Sequence, residues 1–280
     1  MALEQATDFS FQRINPLTKE EFDWISQFLN ERTGIQLKNG KQAMVMGRLE
    51  KRLRMLDFQY YSDYFESLTL PGNELELRLA IDLLTTNETY FFREAQHFDY
   101  LCAHILPNHP LSKPLRIWSA ACSSGEEVYT LAMLLAEYFP SNPWEIIGTD
   151  ISTRVLEKAR EGLYPLPAAE NIPSGLLKKY CMKGIDEYDG FLLIDPVIRK
   201  RVKFEHGNLI GELPEVGQFD VIFLRNVMIY FEQDTKQQVL SRLQNHLLPG
   251  GYFFISHTES LNGFKTNFKL IKPSIYQNPL

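Results

Sequence analysis

Hydrophobic positions near the start of the chain recur at helical spacing. Phe22, Ile25 and Leu29 are three to four residues apart, which is typical of one buried helix face. Thr18 and Glu21 precede this run with the spacing of a capping box, in which each side chain bonds the other residue's backbone N–H. The pattern predicts a helix that begins after Thr18.

The same period continues through the first third of the chain. It predicts further helices at about Lys41–Leu56, Tyr61–Thr69 and Asn73–Leu84. Since these patterns are helical throughout, we expect residues 1–84 to form an all-α N-terminal domain.

After residue 114, short apolar segments alternate with helical patterns. The predicted strands are Leu115–Ser119, Glu145–Thr149, Val202–Glu205, Phe219–Leu224 and Gly251–Ser256. The predicted helices are Glu127–Phe139, Ser152–Glu161 and Asp234–Leu247. This alternation predicts an α/β domain with a mainly parallel sheet over residues 115–280. Residues 85–114 are then a linker and the lead-in to the sheet.

Residues 163–201 interrupt the alternation. Prolines break the helical pattern at its start, and two short apolar segments, 180–184 and 191–195, flank a turn at 186–190. We therefore expect a small antiparallel β insertion. It is either a structural elaboration or a sheet whose edge accepts a strand from a peptide, and the pattern leaves both open.

Composition narrows the class of protein. Of the 280 residues, 44% are hydrophobic and 23% are charged, as in ordinary soluble domains. A formal net charge of −6 argues against general binding to nucleic acid or to a membrane surface. Three scattered cysteines do not predict a disulfide framework. The start lacks the pattern of a secretory signal and no apolar run could span a bilayer, so we expect a cytoplasmic location.

One helix departs from the acidic balance of the whole chain. Between residues 41 and 54 there is one acid, Glu50, against five bases: Lys41, Arg48, Lys51, Arg52 and Arg54. A solvated helix face and a docking surface for an acidic partner both account for this local charge.

The first predicted strand, turn and helix carry the clearest chemical signal. Strand Leu115–Ser119 leads into a turn of small residues, and the next strand ends at Asp150, 25 positions after Gly125. In parallel sheets such a turn presents backbone N–H groups to a ligand, and an acid at the second strand's tip holds ribose hydroxyls. Because Glu126 and Glu127 would repel a diphosphate, the turn favours a positively charged nucleoside such as S-adenosylmethionine.

Two further segments bring polar side chains towards the same sheet edge. Asn87, Thr89 and Arg93 lie in the linker beside aromatic residues that we expect in the core. Arg225 and Asn226 end the strand Phe219–Leu224, where ligands of α/β sheets bind.

Tyr230 follows this strand end four residues after Asn226. The Pro-Pro-Tyr loop typical of methylation at nitrogen of a base or an amide is replaced here by Arg-Asn-Val-Met. This departure weighs against that substrate class.

Four of these segments, in this order, resemble the chemotaxis receptor methyltransferases of the CheR type. They are Thr85–Glu94, Trp118–Glu127, Gly148–Asp150 and Phe219–Phe231. The resemblance implies a class I (Rossmann-like) methyltransferase domain with a β insertion, preceded by an all-α domain. It also implies methyl transfer from S-adenosylmethionine to glutamate side chains on the cytoplasmic helices of chemoreceptors, with S-adenosylhomocysteine as the second product.

The resemblance also assigns roles to residues. The cofactor-binding positions would be Asn87, Thr89, Arg93, Glu127, Asp150, Asn208, Leu209, Arg225 and Asn226. Arg93 and Tyr230 would be the catalytic residues, acting as positioning groups that carry no proton. The five bases of residues 41–54 would dock on the receptor's acidic methylation region, and the β insertion corresponds to the part that grips a C-terminal receptor peptide in some members.

The implied chemistry agrees with the residues present. A glutamate side chain, with an ordinary pKa near 4.3, is already an ionised nucleophile at neutral pH. We therefore expect no metal, and the six histidines show no paired metal-ligand spacing; His257 is interpreted as structural. Three alternatives stay open: a non-catalytic module that binds the donor or its product, methylation of another protein, and methylation of RNA, which the net charge disfavours.

Overall fold

The computed structural model describes residues 14–280, which form two compact units. The N-terminal unit contains the described residues up to Glu31 and the segment Gln36–Thr85. The C-terminal unit contains Arg32–Ile35 and Thr86–Leu280. Across residues 14–280 no helix combines the length and the apolar character required to cross a bilayer.

The short segment Arg32–Ile35 folds with the C-terminal unit. The Asn208 side-chain amide donates to the Arg32 carbonyl at 2.7 Å. Gly34 packs so closely on the same unit that a Cβ there would lie 2.9 Å from the Thr235 methyl carbon. The C-terminal unit therefore contains one short segment from the N-terminal part of the sequence, in addition to all residues from Thr86 onward.

The described part of the N-terminal unit contains helices and no strand, as predicted. Its helices are α1 (Lys19–Thr33), α2 (Gln42–Met55), α3 (Tyr61–Ser67) and α4 (Glu74–Leu84). The capping box at the start of α1 is confirmed, because the Glu21 N–H donates to the Thr18 hydroxyl at 3.1 Å and the Thr18 N–H donates to the Glu21 carboxylate at 2.8 Å. The α1 face formed by Phe22, Ile25 and Leu29 is buried.

The C-terminal unit is an α/β domain, also as predicted. Its helices are α5 (Gln96–Tyr100), α6 (Glu126–Tyr138), α7 (Thr153–Glu161), α8 (Ser174–Tyr180), α9 (Pro196–Arg199) and α10 (Gln233–Asn245). Its strands are β1 (Leu115–Ser119), β2 (Trp144–Asp150), β3 (Leu163–Pro165), β4 (Cys181–Lys183), β5 (Phe191–Ile194), β6 (Val202–His206), β7 (Phe219–Leu224), β8 (Leu247–Ile255), β9 (Lys269–Lys272) and β10 (Ile275–Gln277).

Seven of these strands form the main sheet in the order β6-β2-β1-β7-β8-β10-β9. Strands β6, β2, β1, β7 and β8 pair in parallel, and β10 and β9 add an antiparallel end. The chain builds the sheet outward from β1 in one direction and from β7 in the other. The carboxyl ends of β1 and β7 are therefore the switch point at which α/β sheets bind ligands.

Side chains on both faces of the central strands are buried. Along β7, Val221 and Phe223 point into one hydrophobic cluster, whereas Ile222 and Leu224 point into the other. This two-sided burial explains why the strand is a continuous apolar run in the sequence.

The β insertion forms a separate antiparallel sheet in the order β3-β5-β4. The predicted pair β4 and β5 is confirmed, but β3 was missed because Pro165 was interpreted only as a helix breaker. Pro165 ends an edge strand opposite Phe191, a position at which proline sacrifices no ladder hydrogen bond. Strands β9 and β10 were also not predicted.

Candidate functional site

The carboxyl ends of β1, β2 and β7 meet at one edge of the main sheet. The turn after β1 adopts left-handed backbone conformations, with φ of +49° at Ser123 and +95° at Gly125. The Ser123 N–H donates to the Asp150 carboxylate at 2.9 Å, and the Ser152 N–H donates to its other oxygen at 3.0 Å. The structure thus brings together the turn and the acid that their spacing predicted to be neighbours.

The linker segment packs directly on this turn. The Ser123 hydroxyl donates to the Asn87 carbonyl at 2.8 Å, and Phe91 is fully buried in the core. Arg93 is half-buried, and its guanidinium donates to the Glu88 carbonyl at 2.7 Å. Asn87, Thr89 and Arg93 are therefore held beside the turn after β1, and their side chains are partly exposed.

Arg225 joins three segments at the centre of this edge. Its guanidinium donates to Glu127 at 2.8 Å, lies 3.2 Å from Glu94 and donates to the Arg93 carbonyl. The second oxygen of Glu127 accepts a hydrogen bond from the Ser119 hydroxyl at 2.7 Å. Because Arg225 is only 6% exposed, its charge is satisfied inside the protein, and its first role is to brace the linker against the ends of β1 and β7.

Glu94 is a functional candidate to which the sequence analysis gave no role. Its carboxylate accepts from the Ser256 hydroxyl at 2.8 Å and from the His257 N–H at 3.3 Å, in addition to its contact with Arg225. Burial by itself would raise the pKa of Glu94, but Arg225 and these hydrogen bonds lower that pKa below its ordinary value.

Backbone strain accompanies the same residues. Phe92 and Glu94 have φ of +58° and +56°, and Asn226, at the end of β7, has φ of +59°. Non-glycine residues in this region are uncommon and gather at functional sites. The sequence carries no direct signal for such conformations.

Glu94 also belongs to a cluster of potential metal ligands that the sequence analysis missed. Glu94, His97 and His257 place potential ligand atoms within 4.8 Å of one another, and His97 Nε2 lies 2.6 Å from the Ser274 hydroxyl. Burial, followed by the charges of Arg225 and His257, lowers the pKa of His97 to about 3. His97 is therefore neutral at pH 7. Because Arg225 already neutralises Glu94 and its charge opposes a divalent cation there, we assign the cluster a structural role.

The turn after β7 holds the remaining predicted residues of this edge. The Asn226 side chain donates to the Ser256 hydroxyl at 2.8 Å, and Tyr230 is half-buried in the helical turn Met228–Tyr230. Glu259, another residue missed from sequence, accepts from the Ser256 N–H at 2.8 Å, and burial raises the pKa of its carboxyl.

Asn208 and Leu209 follow β6, next to β2. The Gly207 N–H donates to the Asp150 carbonyl at 3.0 Å, which brings the start of this loop beside the acid. Asn208 donates to Arg32, as described above, and Leu209 is buried.

The chemistry of this edge fits a cationic nucleoside better than a diphosphate. Glu127 and Asp150 place carboxylates at the first turn of α6 and at the tip of β2. Glu126 accepts from the Ser124 hydroxyl at 2.8 Å, and burial raises the pKa of its carboxyl. A sulfonium and an ammonium group would be stabilised where phosphates would be repelled.

The bases of α2 separate into two groups. Arg48 donates to the Leu84 and Thr85 carbonyls at 2.8 Å each, and Arg52 donates to Glu76 of α4 at 2.8 Å. These two arginines therefore stabilise the helical unit itself.

The other bases of this region are exposed. They are Lys41, Lys51 and Arg54, of which Arg54 pairs with Glu50 one turn earlier. They are consequently the better candidates for contact with an acidic partner.

Comparison with known proteins gives consistent matches over nearly the whole chain. Residues 20–85 match the family described as "CheR methyltransferase, all-alpha domain", and residues 87–277 match "CheR methyltransferase, SAM binding domain". A chemotaxis protein methyltransferase of Borreliella burgdorferi is 36% identical over 272 residues, which cover 93% of this chain and 95% of that protein. Its counterpart in Escherichia coli is 40% identical over 266 residues, with 93% and 91% covered.

Proposed function

This chain belongs to the CheR methyltransferase family, and on that basis we propose that it is an S-adenosylmethionine-dependent protein-glutamate O-methyltransferase acting on the cytoplasmic helices of chemoreceptors. Its products would be glutamate methyl esters and S-adenosylhomocysteine. We also propose that it acts in the cytoplasm, where those helices lie.

The observation that carries the proposal is the arrangement at the switch point of the sheet. The turn after β1 is fixed by Asp150 from β2 and by the Asn87 carbonyl from the linker. Asp150 is the acid expected to hold a ribose. The contact with Asn87 brings the polar side chains of the linker to the same turn.

We assign donor binding to the residues around this turn. They are Asn87, Thr89, Arg93, Glu127, Asp150, Asn208, Leu209, Arg225 and Asn226. S-adenosylmethionine, when bound, supplies the methyl group from a sulfonium centre. Within this set Arg225 acts by holding Glu127 and the linker, since its two terminal nitrogens contact Glu127, Glu94 and the Arg93 carbonyl.

The residues present suit an acceptor that needs no activation. A glutamate carboxylate is ionised at neutral pH, so this chain has no proton to remove. Arg93 is half-buried at the linker and can orient an anionic carboxylate, while Tyr230 can align the reacting groups from the turn after β7. Excluding water favours the step, because water stabilises separated charges more than a transition state in which they cancel.

Substrate docking is proposed for two other surfaces. The exposed bases of α2 complement an acidic receptor region, with Arg48 and Arg52 stabilising the helix that presents them. Strand β4 is an edge of the insertion's sheet and exposes Met182 and Lys183, so it can accept an extended receptor peptide by strand addition.

A methyl-transfer assay tests the proposal directly. Receptor cytoplasmic fragments, with and without their C-terminal tails, are incubated with the chain and methyl-labelled S-adenosylmethionine. We expect label that is released by mild base, as an ester requires, and none in fragments whose acceptor glutamates are replaced by alanine. Donor binding without transfer to any fragment would contradict the proposal and favour a non-catalytic binding module.

A further inference from the structure

The β insertion reaches the donor-binding turn through one tyrosine. Tyr164 lies in β3, is 4% exposed, and donates its hydroxyl to the Ser124 carbonyl at 2.6 Å. Ser124 belongs to the turn whose neighbouring residue Ser123 is bonded to Asp150. A side chain of the insertion therefore holds the backbone of the site without lining the ligand position assigned above.

This contact fixes the orientation of one peptide group. The Gly125 N–H, on the same peptide as the Ser124 carbonyl, donates to the Cys122 carbonyl at 3.0 Å. With the Tyr164 hydroxyl on the other side, both polar groups of that peptide are satisfied. Loss of the hydroxyl would leave a carbonyl unpaired in a poorly hydrated place, which favours rotation of the peptide.

The packing around Gly125 shows how closely the insertion approaches. Gly125 has φ of +95°, and a Cβ there would lie 2.9 Å from the Ala159 Cβ and 3.1 Å from the Tyr164 hydroxyl. The Tyr164 ring also packs edge-on against Phe91 of the linker, with 5.0 Å between ring centroids. Tyr164 thus contacts the turn after β1 and also the linker, which carries Asn87, Thr89 and Arg93 of the assigned donor-binding set.

The hydroxyl is a permanent donor at physiological pH. Burial, with a further contribution from the charge of Glu126, raises the pKa of Tyr164 well above its ordinary value. The hydrogen bond to Ser124 therefore does not switch with pH.

We propose that Tyr164 is a positioning residue of the donor site, through which the β insertion sets the affinity for S-adenosylmethionine and its product. This inference rests on the proposed function, since it takes the turn after β1 as the donor site. It adds that the insertion supports donor binding as well as offering a surface to a partner.

A matched pair of substitutions tests the role. Tyr164→Phe removes only the hydroxyl that reaches the turn. Tyr180→Phe removes the hydroxyl of a second buried tyrosine of the insertion, which donates to Glu137 at 2.6 Å at the opposite end of α6. Both variants lose one hydrogen bond between the insertion and the α/β core, but only the first loses one at the turn.

Calorimetric titration with S-adenosylhomocysteine is the readout. We expect Tyr164→Phe to raise the Kd about three- to ten-fold, the range that loss of one such bond gives, and Tyr180→Phe to change it less than two-fold. In the methylation assay Tyr164→Phe should raise KM for the donor and leave kcat within about two-fold. A merely structural role would lower the melting temperature of both variants and leave both Kd values unchanged.

Two other results distinguish failure of this inference from failure of the proposed function. Unchanged affinity in Tyr164→Phe, or equal weakening in both variants, overturns the inference while the proposed function stands. Absence of binding heat with the unmodified chain refutes the proposed function itself.

Hydrogen exchange on the unmodified protein provides a test that does not depend on a variant folding. S-adenosylhomocysteine should slow exchange in residues 163 and 164 together with residues 120–125, and leave residues 181–183 unchanged. If the ligand slowed exchange only in residues 120–125, the proposed coupling between the insertion and this turn through Tyr164 would be contradicted.

Discussion

At the scale of single residues, a buried arginine organises the site. Arg225 has two carboxylate partners, Glu94 and Glu127, and a backbone partner at Arg93. A guanidinium this deeply buried is tolerated only when it is paired, so removal of one partner leaves charge uncompensated. Glu94, which is outside the proposed donor-binding set, can consequently control how Arg225 and the linker are held.

Glu94→Gln tests this dependence. The amide cannot neutralise Arg225, so we expect the unfolding free energy to fall by about 2 kcal/mol, or roughly 4–8 °C in the melting temperature. The linker should loosen, and the Kd for S-adenosylhomocysteine should rise several-fold in calorimetry. Glu88→Gln is the control, because Glu88 is an exposed acid of the same segment. Similar losses in both variants would contradict the bracing role.

Arg93 and Tyr230 carry the proposed alignment of the reacting groups. We expect Arg93→Ala and Tyr230→Phe each to lower turnover at least ten-fold, because misalignment raises the barrier. Both residues are half-buried, so the melting temperature should stay within about 2 °C in each case. Tyr90→Phe, at an exposed linker tyrosine, should behave as the unmodified chain. Near-normal turnover in both test variants would refute the assignment.

Local residues of the site could be predicted from sequence and distant ones could not. Gly125 and Asp150 belong to one β-α-β unit, so their spacing alone predicts that they meet. Glu94 meets Arg225 and His257 only after the strand order has placed the ends of β7 and β8 beside the linker. The positive φ values at Phe92 and Asn226 likewise arise from tertiary packing.

At the scale of elements, α2 combines residues that stabilise its own unit with the exposed bases proposed for docking. Arg52 shares Glu76 with the Tyr64 hydroxyl, which donates to that carboxylate at 2.8 Å. Lys51, which immediately precedes Arg52, is exposed. The charge pattern of the sequence does not distinguish these two neighbours, but their contacts do.

The pair Lys51→Ala and Arg52→Ala separates the two faces. Arg52→Ala leaves Glu76 without its cation and should lower the unfolding free energy by about 2 kcal/mol. Lys51→Ala should leave stability unchanged but reduce the rate of receptor-fragment methylation at low salt, with a smaller reduction at high salt. Thermal melts and initial rates at two ionic strengths provide the measurement. An unchanged rate in Lys51→Ala would remove Lys51 from the docking surface.

Elements with strong periodicity were predicted within a few residues, and short edge elements were not. The cap of α1 and the apolar runs of β1 and β7 are encoded locally. Strand β3 has three residues and ends in proline, and the four residues of β9 are all exposed. Such strands depend on their partners, β5 and β10, and have little pattern of their own.

At the scale of the whole molecule, the neutral buried His97 makes stability depend on pH. The pKa of His97 is about 3 in the folded protein, against about 6.5 in an unfolded chain. Below pH 6.5 the unfolded chain binds a proton that the folded protein does not, so stability is present above that pH and is lost as pH falls towards 3.

We expect a loss of about 2 kcal/mol in unfolding free energy between pH 7.5 and pH 5 from this residue. Denaturant titrations at several pH values measure it. His97→Gln should flatten the curve in that range, whereas His104→Gln, at an exposed histidine, should not. An unchanged pH slope in His97→Gln would show that His97 has the same pKa in the folded protein as in the unfolded chain.

The segment Arg32–Ile35 belongs to the C-terminal unit although it lies within the N-terminal part of the sequence. This has a practical consequence for recombination between relatives. A hybrid joined only near residue 85 would combine one parent's segment Arg32–Ile35 with the other parent's residues at Asn208 and Thr235, which contact that segment. Such hybrids should express poorly unless this segment and the C-terminal unit come from the same parent. An exchange of whole units therefore needs three junctions, near residues 31, 35 and 85. A hybrid library with a single crossover would lose combinations of units that are otherwise compatible.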